Sequence, residues 1–209
     1  MSKAIEELET ILEEMRPYLS AEDEAREKAL RLCRQVIRFS ASAIRSVHRQ
    51  EMDNARKTLV EVRSLVEEVN STLSSYPSLL NSGFVHDAQK EFAEGSITLA
   101  IIAGEDLPRP EALQVRYAAY LNGMGEAMGE LRRYILDSIR RGDFSRCEEM
   151  LETMDAIYSI LMTMDFPQLL AHGLRRTTDA LRGIVERTRG DLTVALKQKE
   201  LEAKLSDLS

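Results

Sequence analysis

Apolar residues recur along most of the chain at the spacing of an α-helix. In one segment Leu59, Val62, Leu65, Val66 and Val69 fall on a single face, and polar side chains occupy the other face. The strict alternation of apolar and polar residues that is typical of a half-buried strand is missing from the sequence. The pattern therefore predicts an all-α protein whose helices each bury one side.

Short breaks divide this pattern into seven or eight predicted helices, which we expect to pack antiparallel. The clearest breaks are SSYPSLLNSG (74–83) and AGEDLPRPEA (103–112), where prolines and polar residues interrupt the helical spacing. Pro17 is predicted to end the first helix, and Gly142 to end a long one before a cap at Asp143. The predicted helices cover residues up to 17, then 21–50, 52–74, 84–103, 110–141, 143–164, 165–190 and 191–204.

The last part of the chain is predicted to hold two helices rather than one. Asp165-Phe166-Pro167 has the turn residues that precede a helix, so we expect a helix to begin there. Gly190 is a candidate end for that helix, and Asp191 a candidate cap for the next.

Length and charge limit the possible functions. The chain has 209 residues, enough for one substantial core, and we expect a single domain over residues 1–209. The formal net charge is −7, so any nucleic-acid surface must be a local basic patch. The acidic N-terminus is unlike a signal peptide, and no uncharged run approaches the roughly 20 residues of a membrane span. Two isolated cysteines, Cys33 and Cys147, are expected to be buried thiols, and together these features predict a cytoplasmic protein.

Two glutamates precede the most apolar stretch of the sequence. Glu91 and Glu94 come directly before GSITLAIIAG (95–104), which carries no charge and is therefore expected to be buried. Glu94 shares a helix face with Ile97 and Ile101, so its carboxylate is predicted to point toward the core.

A second pair of glutamates lies on another largely apolar helix. In YAAYLNGMGEAMGEL (117–131) the only charged residues are Glu126 and Glu130, spaced to share one face. Each glycine inside a helix costs about 1 kcal/mol relative to alanine, so the three in this segment suggest close approach of another backbone or of a ligand. These glycines are Gly123, Gly125 and Gly129.

Two such pairs on facing helices can bring four carboxylates together. Buried carboxylates change pKa, pair with a cation or bind a metal, and a set made only of carboxylates suits Mg²⁺ or Mn²⁺. The alternative is structural, because Glu130 can pair with Arg133 or Tyr134, and Glu91 suits the solvated first turn of a helix. His86 and Asp87, one turn before Glu91, are further candidate ligands or helix-capping residues, although the histidines of this chain lack metal-ligand spacing.

Five arginines form a stripe on the predicted second helix. At 100° per residue they fall within an arc of about 60° with no acidic residue among them. Arginine binds phosphate oxygens through two parallel hydrogen bonds, so the stripe predicts a nucleic-acid surface. The alternative is neutralisation by acidic residues of a neighbouring helix. This arginine stripe consists of Arg31, Arg34, Arg38, Arg45 and Arg49.

Several of these segments resemble the translin and translin-associated factor X family. Glu91-Phe92-Ala93-Glu94-Gly95 resembles the Glu-x-x-Glu segment of factor X, and Tyr120-Leu121-Asn122-Gly123 with Gly129-Glu130-Leu131-Arg132 resembles the family's Tyr-Leu-x-Gly…Gly-Glu-Leu-x-Arg helix. Gly142-Asp143-Phe144-Ser145-Arg146 is similar to its Gly-Asp-Tyr-Ser-Arg turn, and Leu174-Arg175-Arg176 to the start of its following helix. The segments occur in the family's order over residues 74–190.

The resemblance implies a seven-helix translin-like fold and homo-oligomers, commonly octamers, that enclose RNA. It also implies a metal-dependent endoribonuclease, because the four catalytic carboxylates of the factor X branch correspond to Glu91, Glu94, Glu126 and Glu130. Glu126 replaces the family's aspartate and is longer by one methylene. The histidine- and arginine-rich motif of translin is not evident near residues 84–92, so the chain is closer to the catalytic branch.

The sequence thus supports three hypotheses. The first is a Mg²⁺- or Mn²⁺-dependent endoribonuclease that uses the four glutamates and holds single-stranded or duplex RNA on the arginine stripe. The second is a non-catalytic oligomer that binds RNA or single-stranded DNA, as translin does. The third is a helical scaffold without nucleic acid, which would be favoured if Arg31, Arg34 and Arg38 proved to be engaged in salt bridges.

Overall fold

Apolar residues at helical spacing form helices along most of the chain. The structure, a computed structural model, describes residues 3–164, 166 and 173–206. These residues contain eight helices and no strand, which confirms the predicted all-α class. The helices are α1 (Lys3–His48), α2 (Met52–Thr72), α3 (Pro77–Leu80), α4 (Gly83–Ala103), α5 (Pro110–Leu113), α6 (Tyr117–Arg140), α7 (Cys147–Met162) and α8 (Leu174–Ser206).

The pair α4 and α6 lies at the centre of the described fold. Most residues of α4 are buried, and the helix packs against α1, α2 and α6. Helix α6 packs in turn against α7 and α8. Phe92 and Ile97 of α4 and Met128 and Leu131 of α6 are all but excluded from solvent. The two helices that carry the four glutamates therefore lie at the centre of the described core.

The prediction that Pro17 ends the first helix is wrong, because α1 continues through it to His48. A proline inside a helix removes one hydrogen-bond donor and frees a carbonyl one turn earlier. Around Pro17 the helix is exposed, so water can hydrate the freed carbonyl and the break is not required.

The predicted helix over 110–141 is divided in two. Gln114 takes a left-handed conformation with φ +55°, which ends α5, and α6 begins at Tyr117. A contact from α4 stabilises the break, because the Gln89 side-chain oxygen accepts a hydrogen bond from the Arg116 backbone N–H at 3.1 Å. Because this contact joins residues 27 positions apart, the local spacing of apolar residues could not predict it.

The end of α6 follows the prediction and the start of α7 does not. Gly142, with φ +76°, follows the last turn of α6 as expected. Asp143 does not cap α7, because its carboxylate accepts hydrogen bonds from the N–H and hydroxyl of Ser145, and the helix begins only at Cys147. Cys33 and Cys147 are free and buried, as expected.

The predicted break at Gly190 is also wrong, since α8 runs unbroken from Leu174 to Ser206. Thr188 and Leu192 are both buried, so packing on either side of Gly190 holds one continuous helix. The packing outweighs the cost of about 1 kcal/mol for a glycine in a helix. The start predicted at Asp165-Phe166-Pro167 falls largely outside the described residues, which include only Phe166 of the three. Across the described part of the chain, no helix is long and apolar enough to cross a membrane.

Candidate functional site

Helices α4 and α6 bring three of the four predicted glutamates together. Glu91, Glu94 and Glu126 each offer one carboxylate oxygen, and these oxygens all lie within 4.8 Å of one another. Glu94 is buried, whereas the other two are half-buried. The group found among the described residues includes neither His86 nor Asp87. Three of the four predicted carboxylates thus lie together on two neighbouring helices, and Glu130 lies one turn beyond Glu126.

Gly123 is the reason that the two helices come so close. A Cβ atom at this position would lie 2.6 Å from the Lys90 carbonyl oxygen, 2.8 Å from the Ala93 Cβ and 2.9 Å from the Glu94 backbone nitrogen. Real Cβ atoms do not approach other atoms so closely, so only glycine permits this contact. Gly123 therefore sets the distance between the helix of Glu91 and Glu94 and the helix of Glu126.

The other two glycines of α6 have different neighbours. A Cβ at Gly125 would lie 2.7 Å from the Thr177 Cγ2, so this glycine admits α8 to the surface of α6. The Thr177 hydroxyl also donates a hydrogen bond to the Asn122 side-chain oxygen at 3.0 Å. Gly129 has nothing within 4 Å of the place where a Cβ would stand, so open space lies beside it.

That space belongs to a cleft of about 450 Å³ between α6 and α8. Two glutamates of the cluster, Glu94 and Glu126, line one part of it, and Arg176 and Thr177 line another. Arg176 is exposed and has no ion pair among the described residues. The cleft therefore gives a ligand access to the carboxylates past a guanidinium group.

Glu130 is held by a histidine that the sequence did not single out. His48, at the C-terminal end of α1, places Nε2 2.6 Å from Glu130 Oε2, and the His48 side chain is only 5% exposed. Arg133 lies farther away, with Nη1 3.7 Å from the same oxygen. The contact with Arg133, one of the two partners that the structural alternative allowed, is thus present but longer than the contact with His48 of α1.

Lys90 is the second residue that sequence reasoning missed. Its ammonium nitrogen lies 2.7 Å from Glu126 Oε1 on the facing helix and 3.8 Å from Glu91 Oε1. The lysine side chain is 19% exposed. The local sequence pattern does not indicate that the Lys90 side chain forms an ion pair with a residue of another helix.

Burial and mutual repulsion change the pKa values of the cluster. Burial raises the pKa of Glu94 to about 8, and the charges of Glu91, Glu126 and Glu130 add to the increase. Burial also raises the pKa of Glu91, partly opposed by the Lys90 ammonium. Burial lowers the pKa of Lys90, but the hydrogen bond to Glu126 and the negative charges of Glu126, Glu91 and Asp87 together outweigh this, so the net shift of its pKa is upward. The cluster thus holds more negative charge than its one lysine can neutralise.

The arginine stripe lies exposed along α1. All five of its arginines are exposed, and none takes part in an ion pair with any residue that the structure describes. The Arg38 guanidinium carbon lies 4.7 Å from the centre of the Phe39 ring. Neutralisation by a neighbouring helix, the alternative to a nucleic-acid surface, is therefore not seen in the described chain. Arg45 lies one turn before His48, so the stripe ends close to the carboxylate cluster.

Comparison with known proteins gives several similar chains. No model of a known protein family matches the sequence. An uncharacterised protein of Methanocaldococcus jannaschii is 29% identical over 190 residues, which cover 90% of this chain and 84% of that protein.

Solved structures give clearer matches. The AfC3PO chain in a complex with duplex RNA is 36% identical, with a TM-score of 0.84 over 90% of this chain and 97% of that one. A crystal structure of AfC3PO gives a TM-score of 0.81 at the same identity and coverage. Apo-NeC3PO gives a TM-score of 0.77 at 20% identity, over 93% of this chain and 98% of that one, which shows a common fold alone.

Proposed function

The chain belongs to the translin and translin-associated factor X family, to which the C3PO structures belong, and from this premise we propose that it is a metal-dependent endoribonuclease acting on RNA held inside a homo-oligomer. One observation carries the proposal: three glutamate oxygens lie within 4.8 Å of one another, and two of these glutamates, Glu94 and Glu126, line an open cleft. The similar AfC3PO chain in complex with duplex RNA supports RNA as the ligand.

The cluster fits a hard divalent cation such as Mg²⁺ or Mn²⁺. Its donors are all carboxylate oxygens, the ligands that these ions prefer. Burial, and after it repulsion from the neighbouring glutamates, raises the pKa of Glu94, and a divalent cation would relieve that repulsion. Glu91, Glu94 and Glu126 would hold the ion, and Glu130, fixed by His48, would complete the set from one turn away.

Such an ion would lower the pKa of a water molecule for attack on phosphorus and stabilise negative charge on the phosphoryl oxygens. The protein's own groups do the rest. Arg176, across the cleft from Glu94 and Glu126, would pair with a phosphate oxygen and orient the strand. The packing fixed by Gly123 keeps the carboxylates in place without reorganisation when the substrate arrives.

The arginine stripe would bind the RNA backbone outside the cleft. Its guanidinium groups are exposed and form no ion pair with a described residue, so they can contact phosphates regardless of base sequence. Duplex RNA would be recognised by the shape of its A-form backbone. Since the stripe ends near His48, a strand that follows it would reach the carboxylate cluster.

Assembly from copies of this chain is supported by an apolar stripe on the first part of α1. Ile5, Leu8, Leu12, Met15 and Leu19 recur there every three or four residues and are all about half exposed. Residues 3–24 carry eight acidic and two basic side chains, which disfavours pairing of two such segments with each other.

The end of α8 in a second copy is the better partner for this stripe. Val194 and Leu201 are exposed there. Residues 191–206 carry three acidic and three basic side chains, so this surface does not repel the acidic start of α1 as a second acidic segment would. Contacts between unlike surfaces can generate rings and closed shells. An octamer is the assembly that we propose.

A second candidate function is a non-catalytic oligomer that binds RNA or single-stranded DNA. The observation that favours it is the pair of short contacts within the cluster, Lys90 with Glu126 and His48 with Glu130. Partly buried pairs of this kind also occur in purely structural networks.

The decisive experiment is cleavage of a labelled short RNA with Mn²⁺, repeated with EDTA and with a matched DNA. We expect products only from RNA with the metal, and loss of at least about 100-fold in rate for Glu126→Gln. Glu152→Gln is the control, because Glu152 is exposed on α7 and has no ion pair with a described residue. Binding without cleavage in the wild-type protein would instead support the non-catalytic function.

A further inference from the structure

Lys90 stands inside the carboxylate cluster rather than beside it. From α4 its ammonium reaches Glu126 on α6 at 2.7 Å, and it also lies 3.8 Å from Glu91 on its own helix. It is the one basic residue that forms ion pairs with this three-glutamate group among the described residues.

The backbone of Lys90 is fixed at the closest point of the two helices. A Cβ at Gly123 would lie 2.6 Å from the Lys90 carbonyl oxygen, so the two helices touch where the lysine is attached. A side chain that starts so close to α6 spans the gap to Glu126 without leaving the site. The short contact therefore follows from the packing of two helices and is not a chance arrangement of an exposed side chain.

Two of the three carboxylates that would bind a metal are thus already paired with a cation. A divalent ion that takes up Glu126 and Glu91 must displace the ammonium, because both cations need the same oxygens and repel each other at this distance. We propose that Lys90 is a built-in counter-ion that competes with the divalent metal for Glu126 and Glu91. This inference depends on the proposed metal site and adds how its loading is controlled.

A competing lysine and a purely structural lysine differ in how their removal changes metal binding. If Lys90 only held the site together, its removal would loosen the carboxylates and weaken metal binding. If it competes, its removal leaves the carboxylates unneutralised and strengthens metal binding. The two roles therefore predict opposite changes in metal affinity when Lys90 is replaced.

The test is titration of Mn²⁺ into metal-free protein by calorimetry, at fixed pH and salt and without RNA. We expect Lys90→Met to bind Mn²⁺ about tenfold more tightly than the wild-type protein. Lys90→Arg keeps the charge, so its affinity should stay close to the wild-type value. Lys28→Met is the matched control, because Lys28 of α1 forms an ion pair of the same 2.7 Å length with Glu68 of α2, which does not belong to the cluster, and its loss should not change Mn²⁺ binding.

Thermal unfolding of each variant establishes that it is folded before the titrations are compared. An unchanged or weaker Mn²⁺ affinity of folded Lys90→Met would overturn the inference but leave the proposed function intact, provided that the wild-type protein binds the ion. Binding by Lys90→Met but not by the wild-type protein would be the strongest support. Absence of Mn²⁺ binding in both would reject the proposed metal site and this inference together.

Discussion

His48 Nε2 lies 2.6 Å from Glu130 Oε2, so the last residue of α1 orients a carboxylate on α6, 82 residues later in the chain. The histidine is almost fully buried, and Glu130 is the carboxylate next to the three-glutamate cluster. Because α1 also carries the arginine stripe, this contact joins the proposed RNA surface to the proposed catalytic site.

Loss of the histidine should therefore affect the site more than the fold. In His48→Leu the Glu130 carboxylate keeps only the longer contact to Arg133, and we expect Mn²⁺ affinity and cleavage rate each to fall about tenfold. His48→Gln retains a hydrogen-bonding side chain and should recover part of both. Calorimetry and single-turnover cleavage measure the two effects, and equal behaviour of the leucine and glutamine variants would argue against a positioning role.

Gly123 and Gly129 allow a matched pair of substitutions on one helix. In Gly123→Ala the new methyl group meets backbone atoms at 2.6 and 2.9 Å, so α4 and α6 must separate, and we expect a loss of about 2 kcal/mol in the free energy of unfolding. In Gly129→Ala the methyl group has open space, so stability should stay equal or rise by up to about 1 kcal/mol.

Urea unfolding measures both stabilities, and cleavage assays add a second test. The Gly129→Ala methyl group projects into the cleft that we propose for RNA, so cleavage should slow although the protein is stable. A stable Gly129→Ala protein with unchanged cleavage would show that substrate does not use this part of the cleft.

The site shows how much could be predicted from the sequence. Spacing alone placed Glu94 toward the core and allowed the two glutamate pairs to meet if their helices faced each other. It also suggested close approach of a backbone or a ligand at the glycines of α6, and another helix does come close at Gly123 and Gly125 but not at Gly129. It could not identify Lys90 or His48, because their partners lie 36 and 82 residues away and helical periodicity carries no information about contacts between helices. The helix ends predicted at Pro17 and Gly190 were wrong for a related reason. Exposure to solvent at Pro17, and the packing of Thr188 and Leu192 beside Gly190, outweigh the local propensities of proline and glycine to end a helix.

Glu94 should make the stability of the metal-free protein depend on pH. Its pKa is about 8 in the folded protein against an ordinary value of 4.5, so the folded state binds a proton that the unfolded state has released. Folding then takes up protons between these two pH values, and stability falls as the pH rises through them, by at most about 1.4 kcal/mol per pH unit.

Urea unfolding in EDTA at pH 6 and pH 8.5 measures this effect. Glu94→Gln removes the titrating group, so its stability should vary less with pH and exceed that of the wild-type protein at the higher pH. Glu152→Gln serves again as the exposed control and should follow the wild-type curve. A wild-type protein that gains stability over this range would contradict the assignment of the buried proton to Glu94.

The arginine stripe predicts a specific change in the salt dependence of RNA binding. Each phosphate contact contributes about 0.7 to 0.9 to the slope of log affinity against log salt. Replacing Arg34, Arg38 and Arg45 by glutamine should weaken binding and reduce that slope by about 2. Fluorescence anisotropy with labelled RNA and metal-free protein measures it. Arg63→Gln is the control, because Arg63 is exposed but already paired with Glu67, and an equal loss in this control would mean that net charge alone controls binding.

The apolar stripe at the start of α1 predicts how the assembly can be taken apart. Leu8 and Met15 are about half exposed and lie in a segment without buried residues, so replacing both by glutamate should leave the fold of the chain intact. The same change places two further negative charges where we propose that a second copy docks, and sedimentation velocity should show particles of much lower mass.

Val60→Glu is the matched control, because Val60 is equally apolar and 66% exposed on α2 but lies outside the stripe, and its assembly should be unchanged. An unaltered mass for the Leu8 and Met15 double variant would exclude this surface from the interface. Dissociation with full Mn²⁺ binding but slower cleavage of RNA would show that one chain builds the metal site and that the assembly encloses the substrate.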